Sequence, residues 1–235
     1  MVFDTAQALT ARLPFTQDSD AIARVWDRLH EHSCPHHYNF HLHTLCSDGQ
    51  LHPVSLMQQA VDLGLQGLAI TDHHTVEGFA IAQDWLAQTQ QQNPEFALPQ
   101  LWTGVEITAR LLDVSVHILG YAFNPNQVAI ASYLQGVAPE GSAAKADRVI
   151  DAIHQGGGFA VLAHPERYRR PGKKLIRAAV ALGIDGVETY YAYRKTRPWR
   201  STPGTTEAVA ELARQYNLYQ TCGTDSHGLD ISVRL

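Results

Sequence analysis

The sequence predicts a single α/β domain in which helices cover a mainly parallel β-sheet. From residue 37 onward, apolar runs typical of buried strands alternate with amphipathic helical patterns. Several of the helical patterns end at a glycine, as at Gly64, Gly156 and Gly183. The 235 residues suffice for one sizeable hydrophobic core, and no internal repeat or interdomain linker interrupts the chain.

Before this domain the sequence predicts a helical extension, with residues 1–36 as the extension and 37–235 as the domain. Asp18 can cap a helix that ends near Leu29 and carries its apolar residues on one face. The predicted strands are 38–43, 67–71, 101–107, 115–121, 159–163, 186–190 and 218–223. The predicted helices are 53–63, 76–90, 142–155, 172–182 and 205–216. The strands 101–107 and 115–121 lie too close together for a helix between them, so we expect a hairpin there.

The composition is that of a soluble globular protein. Hydrophobic residues make up 45% of the chain, and no stretch approaches the roughly 18 consecutive apolar residues of a membrane span. The N-terminal residues lack a basic region followed by an apolar run, so no signal peptide is predicted. The scattered cysteines Cys34, Cys46 and Cys222 are odd in number, which predicts reduced thiols in a cytoplasmic protein.

A net charge of −5 conceals one strongly basic segment. Ten of the 18 Lys and Arg residues lie between Arg167 and Arg200, where only Asp185 and Glu188 oppose them. The same segment carries several tyrosines and Trp199. This pattern indicates a site for an anionic ligand, although a solvated basic face with a few core aromatics would produce it as well.

The stretch from Asn39 to Gly49 carries the first functional pattern. His41 and His43 alternate with apolar residues, so a strand would place both imidazoles on one face. The turn-forming Ser-Asp-Gly that follows brings the carboxylate of Asp48 back over the strand end. Two imidazoles and a carboxylate suit a divalent metal ion, whereas a strand with two solvent-facing histidines is the alternative.

The same residue types recur where further strands are predicted to finish. They are Asp72, His73 and His74 after 68–71, Glu106 after 103–105, His117 after 114–116, His164 after 158–163, and Asp225 and His227 after 221–224. In a parallel α/β barrel the carboxyl ends of the strands share one face, and that face carries the active site. We therefore expect these side chains to converge.

Nine of these residues have the chemistry of metal ligands. They are His41, His43, Asp48, His73, Glu106, His117, His164, Asp225 and His227. Nine ligands are too many for one ion, because a catalytic zinc ion usually takes three protein ligands. They suit two or three divalent ions, with Glu106 as a bridge. Mixed imidazole and carboxylate ligands favour manganese first, with zinc or iron as alternatives, over magnesium.

In this order, His-x-His, Ser-Asp-Gly, Thr-Asp-His, Glu followed by His, Ala-His-Pro and Asp-x-His resemble the motifs of the PHP (polymerase and histidinol phosphatase) family. The resemblance covers about residues 38–228 and implies a distorted seven-stranded, TIM-like β/α barrel with a trinuclear metal centre. It also implies three ligand sets. The sets are His41, His43, Glu106 and Asp225; then Asp48, His73 and His227; and then Glu106, His117 and His164.

Within that family, the chain resembles the bacterial stand-alone phosphoesterases, which include nucleoside 3′,5′-bisphosphate phosphatases and an exoribonuclease. It departs from them in two places. Only 46 residues separate His117 from His164, where those enzymes carry a long helical insertion that helps to enclose the substrate. His74 also stands where that branch usually has Asp. The resemblance therefore implies the metal chemistry and leaves the substrate open.

Other residues near the motifs are candidates for catalytic roles. Arg167 could hold a phosphoryl group in two hydrogen bonds, or could simply begin the basic segment. His74 could donate a proton to the leaving group or orient a metal ligand. Asp72 is predicted to hold an imidazole in place, and Glu188 either does the same or is a structural carboxylate.

The sequence thus predicts a metal-dependent phosphoric ester hydrolase that acts on a small, nucleotide-like phosphomonoester, with no membrane partner. Histidinol phosphate or phosphotyrosine are alternative substrates, because the PHP family contains such phosphatases. A nuclease acting on short RNA is a further alternative, favoured by the basic segment. An inactive metal-binding regulatory module is the alternative from another class, which missing ligands would favour.

Overall fold

The protein is described by a computed structural model that covers residues 17–234. The helices are α1 (Ser19–Trp26), α2 (Pro53–Asp62), α3 (Glu77–Gln92), α4 (Val128–Ala131), α5 (Ala146–Gln155), α6 (Gly172–Val180) and α7 (Pro203–Gln215). The strands are β1 (Tyr38–Asn39), β2 (Gly67–Ala69), β3 (Gln100–Trp102), β4 (Gly104–Leu111), β5 (Val114–Tyr121), β6 (Phe159–Leu162), β7 (Gly186–Tyr190) and β8 (Tyr219–Cys222). Among the described helices, none is long and apolar enough to cross a membrane.

These strands form two sheets. In the first, β1, β2 and β3 are parallel neighbours. In the second, the order is β4-β5-β6-β7-β8, where β4, β5 and β6 pair antiparallel and β6, β7 and β8 pair parallel. The prediction of an α/β fold is confirmed, and so is the predicted hairpin, which is formed by β4 and β5.

The described strands do not form the predicted seven-stranded barrel. The predicted strand 101–107 divides at Thr103, so that β3 and β4 belong to different sheets. Gly104 permits this change of sheet, because a Cβ at that position would overlap the carbonyl of Ile70. The two sheets are connected by the isolated bridges Leu42 with Ser226 and His73 with Glu106 and by a few backbone hydrogen bonds around them, and no continuous ladder closes them within residues 17–234.

Helix α1 closes one end of the space between the two sheets. Asp18 accepts a hydrogen bond from the Ala21 amide, which confirms the predicted cap. Trp26 is buried, and its ring centroid lies 5.3 Å from that of Tyr121 and 5.6 Å from that of Tyr219. Residues 1–16 of the predicted extension lie outside the described residues, and the boundary at residue 36 stays a prediction.

The hydrophobic core has three layers. Between the sheets lie apolar side chains from both of them, including Phe40, Trp102 and Tyr121. Helices α5, α6 and α7 pack on the outer face of the five-stranded sheet, and α2 and α3 pack on the three-stranded sheet. The inner layer therefore lies directly beneath the ends of the strands that carry the predicted site residues.

The prediction of three reduced thiols is wrong for two of them. Cys34, in the loop after α1, forms a disulfide with Cys222 at the end of β8, 188 residues further along the chain. The fold brings them together because the Phe40 amide donates a hydrogen bond to the Cys222 carbonyl. Cys46 is free. The prediction of a cytoplasmic protein therefore loses the support of reduced thiols.

The disulfide should stabilise the fold without serving catalysis. Replacing both Cys34 and Cys222 with Ser should lower the free energy of unfolding by about 2–4 kcal/mol, because the unfolded chain regains the freedom that the cross-link removes. Urea unfolding without reductant measures the change, and Cys46→Ser is the matched control. Turnover of the folded double variant should persist. An unchanged unfolding midpoint would contradict the stabilising role.

Candidate metal centre

The loop from His41 to Gly49 carries three predicted ligands and depends on two close backbone approaches. The chain after β1 runs beside the chain after β8, because the Asp225 amide donates a hydrogen bond to the His41 carbonyl. A Cβ at Gly223 would overlap His41, and a Cβ at Gly49 would overlap the carbonyl of His43. These two glycines allow the segment that carries His41 and His43 and the turn at Asp48 to fold against each other.

Asp72 holds this loop and does not hold an imidazole as predicted. Its buried carboxylate accepts hydrogen bonds from the amide and the hydroxyl of Thr44, at 2.7 and 2.6 Å, and from the hydroxyl of Ser47, at 2.7 Å. Gly78 lies directly against this carboxylate, since a Cβ there would overlap it. Asp72 therefore positions the turn that carries Asp48.

Glu106 and His117 do not end strands as predicted. Both lie inside the β4–β5 hairpin, where Thr108 pairs with His117. Residues paired in this way point to the same face of a sheet, as do alternate residues of one strand. Glu106, Thr108 and His117 therefore share one face, and the hairpin presents them to the same centre as the strand-end residues.

Glu106 is the centre of the cluster, with its side chain only 1% exposed. Its Oε2 lies 3.0 Å from both His41 Nε2 and His43 Nε2. Its Oε1 lies 2.7 Å from His117 Nδ1 and 3.3 Å from His164 Nε2. Because the two oxygens face different imidazoles, Glu106 has the geometry of a carboxylate that bridges two ions.

The structure brings all nine predicted ligands together. Asp48 lies within 3.3 to 3.7 Å of the imidazoles of His43, His73 and His227. Four groups have ligand atoms within 4.8 Å of one another. The groups are His41, His43, Glu106 and Asp225; His43, Asp48, His73 and His227; His73, Glu106 and His117; and His41, His164 and Glu188. The first group matches the first implied set. His164, which the third implied set joins to Glu106 and His117, is instead grouped with His41 and Glu188.

The orientation of the buried polar atoms fits metal ions. Both ring nitrogens of His43 and of His164, Nδ1 of His73 and of His117, and Oε1 of Glu106 are buried without a hydrogen-bond partner. Several of these nitrogens lie close to Glu106 without the alignment of a hydrogen bond. Buried polar groups are rarely left unpaired. Lone pairs that converge on shared points instead of on each other are expected of ligands to cations.

Glu188 supports two of the histidines from behind. Its Oε1 lies 2.9 Å from His41 Nδ1, and its Oε2 accepts a hydrogen bond of 2.9 Å from the His164 amide. It is fully buried in the middle of β7. Of the two alternatives for Glu188, this contact favours the one in which it orients an imidazole.

Asp225 is surrounded by three side chains that belong to different segments. Arg167 donates a hydrogen bond of 2.8 Å to Asp225 Oδ2, and the Tyr191 hydroxyl donates one of 2.5 Å to the same oxygen. Arg234 Nε lies 3.7 Å from that oxygen. Neither Tyr191 nor Arg234 was predicted from the sequence as a site residue. Tyr191 could have been noticed as a tyrosine three residues after Glu188, but nothing in the pattern marked Arg234.

His74 lies beside the centre and in none of the four groups. Its backbone has a left-handed φ of 56°, and its Nε2 lies 3.1 Å from Thr108 Oγ1. Burial, with a smaller contribution from the charge of His117, lowers the pKa of His74 below its usual value. A neutral imidazole at pH 7 is suited to hold a neighbouring group in place.

The charges at the centre are strongly coupled. Burial disfavours a charge on His43, but Asp225 and Glu106 outweigh it and raise the pKa of His43 to about 9. His73 has the opposite shift, because burial lowers its pKa to about 4 despite the charge of Glu106. Burial raises the pKa of Glu106, but the histidines beside it lower it further, so the net value lies well below the usual range.

These shifts predict that metal binding releases protons. In the metal-free protein His43 carries a proton at pH 7 that a metal ion must displace, whereas His73 is already neutral. The affinity for Mn²⁺ should therefore rise with pH up to about 9, by as much as about tenfold per pH unit for each proton displaced. Anaerobic calorimetry between pH 6.5 and 8.5 in buffers of different ionisation enthalpy measures both effects.

The exposed His154 provides the control for this pH dependence. His154 also has a raised pKa, mainly because of its hydrogen bond to Asp185, but it lies in none of the four groups. A His154→Gln variant should keep the same dependence of affinity on pH. An Mn²⁺ affinity of the unaltered protein that did not change with pH would contradict a protonated ligand set.

Comparison with known sequences finds a family model and several relatives that match most of the chain. A model of the PHP domain matches residues 39–227. The 5′-3′ exoribonuclease Rnm of Escherichia coli is 24% identical in an alignment that covers 81% of this chain and 85% of that protein. A 5′-3′ exoribonuclease of Haemophilus influenzae is 25% identical, covering 81% of this chain and 89% of that protein.

Two solved structures share the fold of this chain. A protein of Bifidobacterium adolescentis that is assigned as a metal-dependent phosphoesterase has a TM-score of 0.65 and 25% identity, over 83% of this chain and 88% of the other. An amidohydrolase of Chromobacterium violaceum has a TM-score of 0.68 at 20% identity, over 83% of this chain and 89% of the other, which shows a shared fold.

Proposed function

Because this chain belongs to the PHP domain family, we propose that it hydrolyses a phosphate ester at the centre built around Glu106. The observation that carries the proposal is the convergence of nine ligand-type side chains on one another, with both oxygens of a buried carboxylate facing different imidazoles. Each of the nine ligand-type residues of the pattern is present. This completeness favours an enzyme over an inactive regulatory module.

We propose two or three divalent ions as the cofactors, with manganese first and zinc or iron as alternatives. The first would be held by His41, His43, Glu106 and Asp225; the second by Asp48, His73 and His227; and the third by Glu106, His117 and His164. Bound ions would lower the pKa of water and neutralise the phosphoryl oxygens as charge develops.

The residues around the centre would bind and orient the substrate. Arg167, with 39% of its side chain exposed, is the most accessible cation beside the cluster and would hold a phosphoryl oxygen. His74 would orient the hairpin through Thr108 or donate a proton to the leaving group. Asp72 would act at a distance, by fixing the turn that carries Asp48.

The preferred substrate class is a small nucleotide-like phosphomonoester. A direct test is to measure phosphate release by manganese-reconstituted protein from a nucleoside 3′,5′-bisphosphate, histidinol phosphate and phosphotyrosine, and the release of both phosphate and nucleotides from a 5′-phosphorylated short RNA. Metal-depleted protein is the control. Hydrolysis of the bisphosphate with the highest kcat/KM is expected. Preference for histidinol phosphate or phosphotyrosine would replace the proposed substrate class, and no release from any of the four would contradict the proposal.

A strand-degrading ribonuclease is the second candidate, favoured by the position of the basic segment. The loops after β6 and β7 begin at the same end of this parallel pair, and His164 lies at that end. These loops and α6 carry exposed cations that form no ion pair with any described residue: Arg169, Arg170, Lys173, Lys174, Arg177, Arg194, Lys195, Arg197 and Arg200. The exoribonuclease relatives lend the same support.

Salt dependence separates the two candidates. An RNA strand that crosses the basic segment would displace several counterions, so log kcat/KM should fall steeply with log salt for RNA and only slightly for a mononucleotide. Replacing Arg194, Lys195 and Arg200 with Gln should flatten the slope for RNA. Slopes that are equally shallow for both substrates would exclude the ribonuclease.

A further inference from the structure

The two oxygens of Asp225 have different surroundings. Oδ1 faces the metal centre, where it lies 3.4 Å from His41 Nε2 and from His43 Nε2. Oδ2 faces away from the centre and receives the hydrogen bonds of Tyr191 and Arg167. Asp225 is thus set to offer one oxygen to a metal ion while donors hold the other.

The donors around Oδ2 differ in how firmly they are fixed. Tyr191 is fully buried. Arg234 has only 14% of its side chain exposed, donates a hydrogen bond of 3.0 Å to the Ala192 carbonyl, and lies over the Tyr191 ring at 5.1 Å. Arg167 is 39% exposed, and its other hydrogen bond is a contact of 3.0 Å with the Tyr191 hydroxyl. Two donors are anchored by burial or by further contacts, whereas the more exposed Arg167 is held by Asp225 and by Tyr191, whose ring centroid lies 6.0 Å from its guanidinium.

Asp225 has an unusual backbone conformation, and its carboxylate depends on these donors for its orientation. Its φ is 53°, in the left-handed region that non-glycine residues rarely adopt. The hydrogen bond from its amide to the His41 carbonyl fixes the main chain, but the carboxylate still needs partners to keep its orientation. If Arg167 turned away, the Tyr191 hydroxyl and the guanidinium of Arg234 would remain beside Oδ2, so the buried carboxylate would not be left unpaired.

We propose that Tyr191 and Arg234 are positioning residues that hold Asp225 toward the metal centre, which lets Arg167 leave Asp225 and bind the phosphoryl group of the substrate. The second half of this inference rests on the proposed phosphoesterase function, whereas the first half concerns metal binding alone. Arg167 and Arg234 therefore have separate tasks, although both contact the same carboxylate oxygen in the structure.

Mn²⁺ titration of the metal-free protein, without substrate, tests the positioning role. A Tyr191→Phe, Arg234→Gln double variant should bind Mn²⁺ at least about tenfold more weakly, as is typical when a partner of a metal ligand is lost. Arg167→Ala should bind Mn²⁺ within about twofold of the unaltered protein. Arg214→Gln, which removes an exposed arginine paired with Glu207, is the matched control and should have no effect.

Kinetics on the same variants separate positioning from substrate binding. Arg167→Ala should raise KM for a phosphate ester, whereas the double variant should lower kcat at subsaturating Mn²⁺ and recover when the Mn²⁺ concentration is raised. The single variants Tyr191→Phe and Arg234→Lys keep most of the packing. If the double variant does not fold, weaker Mn²⁺ binding by these single variants tests the positioning role instead.

Two outcomes would overturn the division of tasks. One is that the double and single variants bind Mn²⁺ as tightly as the unaltered protein does. The other is a loss of Mn²⁺ affinity in Arg167→Ala as large as that in the double variant. If no phosphate ester is hydrolysed by the unaltered protein, the proposed function fails while the Mn²⁺ titration still decides whether Tyr191 and Arg234 position Asp225.

Discussion

Replacing Glu106 with Gln should lower kcat/KM for phosphate esters by about 1,000-fold or more, which corresponds to about 4 kcal/mol of transition-state stabilisation. The amide keeps the shape of the side chain but removes the charge that both oxygens offer to separate groups of imidazoles. The variant should also lose at least one equivalent of bound metal. Steady-state kinetics and elemental analysis of the same preparation measure both effects.

The matched control is Glu207→Gln, which makes the same chemical change at an exposed carboxylate. It should leave kinetics and metal content unchanged. Thermal unfolding of Glu106→Gln should confirm that the variant is folded before its kinetics are interpreted. A folded Glu106→Gln protein with near-normal turnover and full metal content would exclude Glu106 as the bridge.

Replacing Arg167 with Ala should lower kcat/KM by one to two orders of magnitude, about 1.4–3 kcal/mol. The guanidinium lies beside the cluster with its side chain 39% exposed, where a phosphoryl group can reach it. Arg167→Lys should recover only part of the loss, because an ammonium group cannot make the two parallel hydrogen bonds of a guanidinium. Kinetics at saturating Mn²⁺ measure the effect without interference from metal affinity.

Arg214→Ala serves as the control for Arg167→Ala, since Arg214 is an exposed arginine on α7 that pairs only with Glu207. Its kinetics should equal those of the unaltered enzyme. Wild-type kinetics for Arg167→Ala would remove the phosphate-binding role, and Arg167 would then be a third group that orients Asp225.

The site residues that lie next to the end of a strand were predictable from the sequence, because local patterns of apolar residues indicate where a strand begins and ends. Alternation placed His41 and His43 on one face, and short apolar runs located β2, β6 and β8 just before His73, His164 and Asp225. Apart from the short α4, which was not predicted, the helices followed from amphipathic periodicity and glycine ends. These features depend on neighbours within a few residues, which is the range over which a sequence pattern determines structure.

The hairpin was harder to interpret correctly. An antiparallel pair presents residues from its middle as readily as from its ends, so Glu106 and His117 did not need to end strands. The division of the predicted strand 101–107 into β3 and β4 at Thr103 was also missed, although Thr103 and Gly104 interrupt its apolar residues. What separates the strands is the close approach of Gly104 to Ile70, which depends on tertiary packing.

Contacts between distant segments could not be read from the sequence. The disulfide joins Cys34 to Cys222, 188 residues apart, and nothing near either cysteine marks the other as its partner. Arg234 reaches Asp225 through the path of the last residues of the chain, and Tyr191 does so from the end of β7. Contacts between such distant residues form only when the two sheets pack against each other.

A titration of metal-free protein with Mn²⁺, followed by phosphate release from a nucleoside 3′,5′-bisphosphate, tests the central claim most directly. A multinuclear centre predicts that hydrolysis is absent without metal, rises as Mn²⁺ is added, and becomes constant only at two to three equivalents per chain. Hydrolysis in the metal-free protein, or full activity at one equivalent, would contradict a multinuclear metal centre as the site of catalysis.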